Sequence, residues 1–493
     1  MPLVASYLKS LRQHLLEANV KAPLYIMQSS GGMMTPELAA ERPIEIIECG
    51  PAGGVVGAAY LAQQQNIDNI ITFDMGGTTA KASLVENGQF TRSVEYEIGG
   101  GIHKASRLLK GNGYVVRIPS IDIAEIGAGG GSILRVDAFG VLHIGPRSAG
   151  SVPGPACYNR GGEEPTLTDA NVVLGYLNPD YLCGGELKLS KEKALRAVEE
   201  KVAKPMGVTA PEAAYGAYCF ANANMMRAIR AVSSERGRDV RKFILYAFGG
   251  AGPTHAVGVA RELGMKMVLV PPAPGVCSAF GLLCADIERH YIQTFSRPWN
   301  RSVLEDLNGA FDRINQEVVS SAERWGGKIA TQPIIHRYVD LRYEGQSSEI
   351  SVPVPKGKLT ESKIRSLGEA FEKQHEQEYG HRLPGNNLQI AAIRLIATIP
   401  TKRPILKSVV GKARTLTKNT QREETRKAYW GKKYGFLQTP VLALEQVGKR
   451  SRKGPVLVDC YDTTIVVPPG CSLAMSEWNN LIIAIEKGGT ERD

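Results

Sequence analysis

Residues 73–81, FDMGGTTAK, place an acidic side chain, two glycines and two hydroxyls directly after an apolar, strand-like run. The glycines allow backbone amides to approach an anion closely, and the threonines add hydroxyl donors. The carboxylate is of the kind that binds Mg²⁺ or its water shell. This pattern is typical of a site for a metal-bound polyphosphate; the alternative is a glycine-rich hairpin with an Asx turn. The residues concerned are Asp74, Gly76, Gly77, Thr78 and Thr79.

A second glycine-rich turn, FGGAG, occupies residues 248–252 between an apolar run and a helix-like segment. Backbone amides at the start of a helix, together with the positive end of the helix dipole, favour an anion there. The turn lacks the Gly-x-Gly-x-x-Gly spacing of a dinucleotide-binding fold, and VLVPPAPG follows where that fold has an acidic residue. A dinucleotide site is therefore disfavoured.

Two further features leave alternatives open. The third glycine-rich turn, GAGGGS at residues 127–132, would either hold an anion through Gly129 and Gly130 or allow two segments of the chain to cross closely. His255, near the start of the helix-like segment, would be either a ligand contact or an imidazole whose hydrogen bonds are satisfied inside the protein.

Apolar periodicity predicts the elements that must position these turns. NIITFD, TTAKASLVE and QFTRSVEYEI are expected to be successive strands, with Asn87-Gly88 as a hairpin turn. KFILYAF and KMVLVP, on either side of the second turn and its helix, are expected to be buried strands. Helical periodicity runs from about residue 191 to 234, and from about residue 298 helices and strands alternate up to a strand-rich tail.

Composition excludes several classes of protein. The eight cysteines include no Cys-x-x-Cys pair, so neither a zinc ribbon nor a thioredoxin-type motif is indicated. No apolar run approaches the ~18 residues of a membrane span. With no secretory signal at the N-terminus, we expect a reduced, cytoplasmic setting and no membrane partner.

The positive charge is concentrated in one segment. The net charge is +10, but residues 401–453 hold fifteen Lys and Arg against three acidic residues, so this segment carries +12 and the rest of the chain −2. Tyr429, Trp430, Tyr434 and Phe436 lie among these charges, but no recognisable nucleic-acid module accompanies them, and attraction of an anion is the alternative role. We therefore expect a solvated or subunit-facing segment and no nucleic-acid partner.

Long segments of the chain, in order, resemble the hydantoinase A/oxoprolinase family. They are RPIEIIECGPAGGVVGAA, ITFDMGGTTAKASLVENG, IGAGGGSI, GPRSAGSVPGPACYNRGGEEPTLTDANVVLG, AFGGAGPTHAVGVARELGMKMVLVPPAPGVCSAFGLL and LRYEGQSSEI. The family includes N-methylhydantoinases, 5-oxoprolinases, caprolactamase, and subunits of acetone and acetophenone carboxylases.

The resemblance implies an α/β fold: the second lobe of an actin-like, sugar-kinase-like ATPase core at residues 1–295, followed by an α+β C-terminal domain at residues 296–493. It implies ATP and Mg²⁺ as cofactors and Asp74 as the catalytic and metal-binding residue. The residues that it places at the nucleotide are Asp74, Gly76, Gly77, Thr78, Thr79, Gly129, Gly130, Gly249, Gly250 and Gly252.

The implied activity is that of one subunit of an ATP-dependent cyclic-amide hydrolase, acting on a hydantoin, oxoproline or lactam. Such an enzyme phosphorylates a carbonyl oxygen before hydrolysis. The alternative is the ATP-binding subunit of an acetone or acetophenone carboxylase, with a ketone as substrate. A hydantoinase B-like partner subunit is expected in either case, and Mn²⁺ or Zn²⁺ is a further expectation for that partner.

The sequence departs from the family pattern at three places. The family's N-terminal lobe, with an Asp-x-Gly-Gly-Thr loop, does not precede Asp74, so either a separate chain supplies it or the polypeptide is a fragment or split gene without activity by itself. A non-catalytic truncated paralogue or assembly subunit is the second alternative for the function. Ala124-Glu125 stands where relatives have His-Thr, which removes any metal or substrate role of that histidine. Cys49 stands where serine is common and is expected to be a small buried side chain, with a reactive thiol as the alternative.

Overall fold

Twelve helices and 24 strands make up the described part of the chain, which in this computed structural model is residues 2–98, 102–103, 114–327, 332–404 and 424–486. The helices are α1 Pro2–Glu17, α2 Pro36–Glu41, α3 Cys49–Gln63, α4 Leu167–Val173, α5 Lys191–Val198, α6 Lys204–Met206, α7 Ala210–Val232, α8 Gly252–Glu262, α9 Cys277–Leu282, α10 Leu304–Gly326, α11 Glu361–Tyr379 and α12 Gly431–Tyr434. Among these residues, no helix has the length and apolar character needed to cross a membrane.

A ten-stranded mixed sheet forms the centre of the molecule. Its strands are β3 Ile70–Met75, β4 Ala80–Glu86, β5 Gln89–Phe90, β7 Ile102–His103, β9 Ile123–Ile126, β12 Ile244–Phe248, β13 Met267–Val270, β20 Arg452–Lys453, β23 Cys471–Met475 and β24 Leu481–Ile485. The order is β20-β23-β24-β13-β12-β3-β4-β9-β7, with β5 paired to β4. The neighbours β3, β12 and β13 are parallel, and β4 returns antiparallel to β3.

The other strands form four smaller sheets. A six-stranded sheet contains β1 Ile26–Met27, β2 Met33–Met34, β14 Ile287–Pro298, β15 Ile334–Tyr343, β16 Ile350–Val354 and β17 Leu388–Ile399. A four-stranded sheet contains β18 Glu424–Tyr429, β19 Phe436–Ala443, β21 Val456–Asp459 and β22 Thr464–Val467. Two hairpin-like pairs are β6 Arg92–Ile98 with β8 Tyr114–Ile121, and β10 Ser132–Val136 with β11 Leu142–Ser148.

Helices cover both faces of the central sheet, which explains the continuous apolar runs of its parallel strands. Along β3, Ile71 and Phe73 pack into a core with α7 and α8, whereas Ile70 packs on the opposite face with α3. The residues of α3 that face this core are largely Ala, Gly and Val, which allows the helix to lie close to its neighbours. The predicted strands around Asn87-Gly88 are confirmed, because β3 pairs with β4 and β4 with β5 in antiparallel register.

Strand pairing crosses residue 295, the boundary between the two predicted domains. Strands β20, β23 and β24, from the C-terminal part, lie in the central sheet. Conversely, β1 and β2, from the first part, lie in the six-stranded sheet beside β14. The two segments of sequence are therefore interleaved in space.

The predicted basic segment is only partly solvated. Residues 405–423 lie outside the described residues, but Trp430 and Leu442 are buried in the same core as Phe73. The expectation of a solvated segment is thus wrong for one side of the strand pair in residues 424–443, where apolar residues are buried while residues between them are exposed. Lys432 does remain exposed, with 84% of its side chain accessible.

Candidate functional site

Two of the predicted glycine loops lie side by side at one edge of the central sheet. Strands β3 and β12 are parallel neighbours in which Asp74 is paired with Phe248. The loop of residues 76–79 follows β3, and the loop of residues 249–251 follows β12. Because the carboxyl ends of parallel strands meet at the same edge, the two loops face a common space, which is the usual place for a ligand in α/β folds.

Gly249 brings the second loop into contact with the end of β3. Its φ angle is +83°, and a Cβ placed on it would lie 2.5 Å from Asp74 Oδ1 and 2.5 Å from the carbonyl oxygen of Met75. Ala251 donates its backbone N–H to that same Met75 oxygen at 2.9 Å, and Gly249 donates to Pro274 at 2.9 Å. Glycine is therefore required at residue 249 both by backbone conformation and by space.

The loop of residues 76–79 is open on its outer side. Gly77 and Thr78 are exposed, and a Cβ placed on Gly76 or Gly77 would meet no atom within 4 Å. The Gly76 N–H closes the turn by donating to Thr79 at 3.1 Å. Within the described residues, the amides of Gly77, Thr78 and Gly250 have no hydrogen-bond acceptor. These three amides are available to an anion.

The third glycine loop supports the first from behind. Gly130 donates its N–H to Gly76 at 3.0 Å, Gly131 donates to Gly77 at 2.6 Å, and Gly129 donates to Ser132 Oγ at 2.8 Å. A Cβ placed on Gly129 would lie 2.5 Å from the backbone nitrogen of Thr78. The geometry shows a close crossing of two segments, which is one of the two predicted alternatives. The expectation that Gly129 and Gly130 bind an anion is not met, because their amides already donate within the protein.

Asp74 is a partly buried carboxylate at the end of β3. Its pKa is raised, chiefly because burial penalises the charged form; Lys81 opposes this shift and Glu125 adds to it. Lys81 lies opposite Asp74 on β4, and Glu125 lies opposite Lys81 on β9. Asp74, Lys81 and Glu125 therefore form a row of alternating charges across these three strands, next to the open loop of residues 76–79.

Lys81 and Glu125 are the site residues that sequence reasoning missed. The Lys81 Nζ lies 2.8 Å from Glu125 Oε1 and donates to Thr79 Oγ1 at 2.5 Å. Lys81 lies at the start of β4, two residues after Thr79. The face of the sheet to which its side chain points could therefore have been predicted from the sequence. Its ion pair could not, because Glu125 reaches it only through the pairing of β4 with β9.

A loop from the C-terminal part of the chain supports the second glycine loop. Thr463 donates its hydroxyl to the carbonyl of Gly250 at 2.9 Å, and Thr254 donates to the carbonyl of Thr464 at 2.8 Å. Asp462 accepts the Gly275 N–H at 2.6 Å. The site is consequently built from both of the sequence segments that the family resemblance separates.

His255 and Cys49 are buried to different degrees, and neither is poised for chemistry. His255 lies between Asn222 and Asn171, with Nδ1 2.8 Å from Asn222 Oδ1 and Nε2 3.2 Å from Asn171 Nδ2. Burial lowers the pKa of His255 to about 3, so the imidazole is neutral. Burial also raises the pKa of Cys49, which favours the unreactive thiol. These geometries fit an imidazole with satisfied hydrogen bonds at His255 and a small, unreactive side chain at Cys49.

Asp74 is the site carboxylate that could reach a metal ion together with phosphate oxygens. Across the described ranges, no group of three or more His, Cys, Asp or Glu side chains is arranged to hold a metal ion by itself. A magnesium ion commonly takes one or two protein carboxylates and completes its shell with phosphates and water. The residues at this edge of the sheet fit a metal ion that arrives with a polyphosphate.

The mixed sheet, with two adjacent glycine loops at the carboxyl ends of its parallel strands β3 and β12, defines an α/β protein. The hydantoinase/oxoprolinase family profile matches residues 1–291, and the profile of the hydantoinase/oxoprolinase C-terminal domain matches residues 295–483. The chain belongs to the hydantoinase/oxoprolinase family.

Two of the similar proteins are named as enzyme subunits. The caprolactamase subunit alpha of Pseudomonas jessenii is 31% identical over 480 residues, which cover 96% of this chain and 66% of the relative. The acetophenone carboxylase gamma subunit of Aromatoleum aromaticum is 34% identical over 443 residues, covering 85% of this chain and 57% of the relative. This chain thus spans about three fifths of the length of these two relatives.

The fold is also similar to a solved structure. The crystal structure of the ATP-dependent caprolactamase from Pseudomonas jessenii superposes with a TM-score of 0.81 at 30% identity, over 98% of this chain and 68% of that one. The α/β fold class is confirmed by this similarity and by the sheets described above.

Proposed function

We propose that this chain is the nucleotide-binding subunit of an ATP-dependent cyclic-amide hydrolase. The observation that carries the proposal is the pair of glycine loops after β3 and β12, which lie beside Asp74. Among the described residues, the amides of Gly77, Thr78 and Gly250 in these loops have no hydrogen-bond acceptor. The similarity to an ATP-dependent caprolactamase supports ATP as the anion. In this proposal the central sheet and its helices are the second lobe of an actin-like, sugar-kinase-like ATPase core.

Each residue of the site has a proposed role. The Gly77 and Thr78 amides bind phosphate oxygens, and Gly249 lets the second loop approach the nucleotide without a side chain in the way. Gly250 and Gly252 lie on the adenosine side. Asp74 orients a phosphate-bound Mg²⁺ or one of its water ligands, and the metal supplies charge neutralisation of the phosphates. Gly129 and Gly130 support the loop from behind and do not bind the nucleotide.

The chemistry follows from the low reactivity of an amide. Transfer of the γ-phosphoryl group to the carbonyl oxygen breaks its bond to ADP and forms a carbon–oxygen–phosphorus linkage. Water then adds to the same carbon, the carbon–nitrogen bond breaks so that the ring opens to an amine and an acyl phosphate, and a second water releases inorganic phosphate from that acyl phosphate to leave the carboxylate. Positioning and electrostatic stabilisation by the loops would supply most of the catalysis, as in other phosphoryl transfers. A hydantoinase B-like partner subunit would consume the phosphorylated intermediate.

The similarity to the acetophenone carboxylase gamma subunit favours a second candidate. In that case the enolate oxygen of a ketone would accept the phosphoryl group from ATP. Water would then remove that group as inorganic phosphate while the enol carbon forms a bond to carbon dioxide, which is produced by dehydration of bicarbonate. Both candidates use the same nucleotide site and differ in the acceptor.

An assay of ADP release tests the function. The chain would be combined with a hydantoinase B-like subunit and supplied with Mg²⁺ and ATP. Caprolactam, 5-oxoproline and hydantoin would be compared with acetone and acetophenone in the presence of bicarbonate. ADP release that depends on a cyclic amide supports the hydrolase, and release that depends on a ketone supports the carboxylase. An Asp74→Asn variant as active as the unmodified protein would contradict both.

A further inference from the structure

A row of three charged residues crosses the central sheet next to the loop of residues 76–79. Asp74 on β3, Lys81 on β4 and Glu125 on β9 are directly paired in register. Paired residues on adjacent strands project from the same face of a sheet, so the three side chains are neighbours. The row has a carboxylate at each end and an ammonium group between them.

Lys81 connects this row to the loop. Its ammonium group has three N–H donors. One reaches Glu125 Oε1 at 2.8 Å, and another reaches the hydroxyl of Thr79 at 2.5 Å. Only 18% of the Lys81 side chain and 12% of the Glu125 side chain are exposed, so solvent screens the pair weakly. The positive charge is therefore fixed beside the loop whose amides remain available.

We propose that Lys81 is a phosphate-contacting residue of the nucleotide site and that Glu125 is the positioning residue that holds it there. This inference rests on the proposed function, because it assumes that a nucleotide phosphate occupies the space beside Gly77 and Thr78. It adds the positively charged side chain of Lys81 to the site. It also gives a role to Glu125, the acidic residue at which the sequence departs from the family pattern.

Three features separate this role from simple stabilisation. The ammonium group contacts the hydroxyl of Thr79, in the loop itself, in addition to its ionic partner. A shielded ion pair is weak evidence for stability, because the cost of desolvation offsets much of the attraction. Glu125 also belongs to the segment that leads into the third glycine loop, whose residues Gly130 and Gly131 already bond to the phosphate loop. The same segment thus fixes both the backbone of the loop and its neighbouring charge.

The row also restricts how a nucleotide can bind. Two carboxylates and one ammonium group leave the row with a net negative charge, which repels a free polyphosphate. Held on Thr79 by Glu125, the central ammonium group of Lys81 directs the positive charge of the row towards the loop. Removing Glu125 while keeping its shape would leave Lys81 free to adopt other rotamers and would reduce its contribution to phosphate binding.

Isothermal titration of the full chain with ATP and with adenosine, both in the presence of Mg²⁺, tests the inference. Lys81→Met removes the charge at similar length, Lys81→Arg keeps the charge, and Glu125→Gln keeps the shape of the positioning residue. Lys432→Met is the control, because this lysine is 84% exposed. Near-ultraviolet circular dichroism establishes that each variant is folded.

The expected result is a phosphate-specific loss. The affinity of Lys81→Met for ATP should fall by roughly tenfold or more, as for a lost charged hydrogen bond, with adenosine binding unchanged. Lys81→Arg should regain most of the loss, Glu125→Gln should lie between, and the dependence of ATP affinity on salt should flatten in Lys81→Met. Equal ATP affinity of Lys81→Met and unmodified protein would overturn this inference alone, whereas absence of ATP binding by the unmodified protein would overturn the proposed function as well.

If Lys81→Met does not fold, the two conservative variants decide the matter. Glu125→Gln should then weaken ATP binding by about threefold or more without affecting adenosine, which follows from loss of a positioned ionic contact. ATP binding unchanged in both Glu125→Gln and Lys81→Arg would contradict the proposed positioning.

Discussion

Gly249 lies so close to Asp74 that a Cβ at residue 249 would stand 2.5 Å from the Asp74 Oδ1. The contact joins the ends of two parallel strands and brings their loops together. It also means that the carboxylate of the proposed nucleotide site is confined by backbone on the side of β12. Small substitutions at residue 249 should therefore affect ligand binding at the site more than they affect the stability of the fold.

We expect Gly249→Ala to abolish or strongly weaken nucleotide binding, by about tenfold or more, because the new methyl group displaces Asp74 or the second loop. Gly264→Ala is a matched control: its φ is +70°, similar to the +83° of Gly249, but its Cβ would meet only the flexible side chain of Arg241 at 3.7 Å. Both variants carry the conformational cost of about 1–2 kcal/mol. ATP affinity that is equal in the two variants would show that the contact with Asp74 is unimportant.

Asp74→Asn should reduce ATP turnover by at least about tenfold in the complete assembly, since a carboxylate that orients the metal is replaced by an amide. The melting temperature at neutral pH should not fall. The pKa of Asp74 is raised in the folded protein, so ionisation of this group opposes folding as the pH rises through the folded pKa. A large loss of thermal stability with unaltered turnover would instead assign Asp74 a role in the turn.

The same linkage gives a dependence on pH. Any stability that Asp74→Asn gains over the unmodified protein should be present at pH 7 and should disappear towards the unfolded pKa of about 3.9, where both states bind the proton. Thermal unfolding of the two proteins between pH 4 and pH 7 measures this difference. A gain that grows as the pH falls would have the wrong sign.

Gly129→Ala should disturb the phosphate loop from behind, because its methyl group would lie 2.5 Å from the backbone nitrogen of Thr78. We expect weaker ATP binding together with a loss of stability of about 1–3 kcal/mol from the forced backbone shift. Gly127→Ala, in the same turn, would place its Cβ 3.5 Å from Pro146, an ordinary contact, and should behave like the unmodified protein. Equal ATP affinity and stability in the two variants would contradict the crossing of the loops.

His255 predicts a loss of stability in mild acid. Its pKa is lowered to about 3 by burial, so the unfolded chain takes up a proton below pH ~6.5 while the folded protein does not. Stability is complete above that pH and should fall by about 1.4 kcal/mol per pH unit below it. In urea unfolding between pH 5 and pH 7, the slope should be smaller in His255→Gln by up to this amount, and His290, whose pKa is also lowered by burial, should contribute to the slope that remains. An identical slope in both proteins would mean that the imidazole is protonated in the fold.

The local features of this fold were readable from the sequence. Asn87-Gly88 predicted the hairpin because its conformation is a property of two residues, and the apolar runs around Asp74 and residues 248–252 predicted strands for the same reason. The sequence located the glycine loops, but it could not show that two of them lie side by side, because that depends on the parallel pairing of β3 with β12.

The errors had a common physical cause in contacts between distant residues. Counting charges in residues 401–453 overlooked that Trp430 and Leu442 bury one side of a strand pair in the central core. The anion role expected for Gly129 and Gly130 was not met because the Gly129 amide donates to the nearby Ser132 hydroxyl and the Gly130 amide donates to Gly76, 54 positions earlier in the chain. No local pattern reveals the second of these pairings. The Lys81 to Glu125 ion pair was missed for the same reason.

We propose that the loop of residues 76–79 holds the phosphates of ATP and that the loop of residues 249–251 lies beside them on the adenosine side. A crystal structure of the chain with Mg²⁺ and a non-hydrolysable ATP analogue tests it most directly. We expect phosphate oxygens about 3 Å from the amides of Gly77 and Thr78, with Asp74 facing the metal ion or its water ligands. An analogue bound elsewhere, with no phosphate oxygen near either loop, would contradict it.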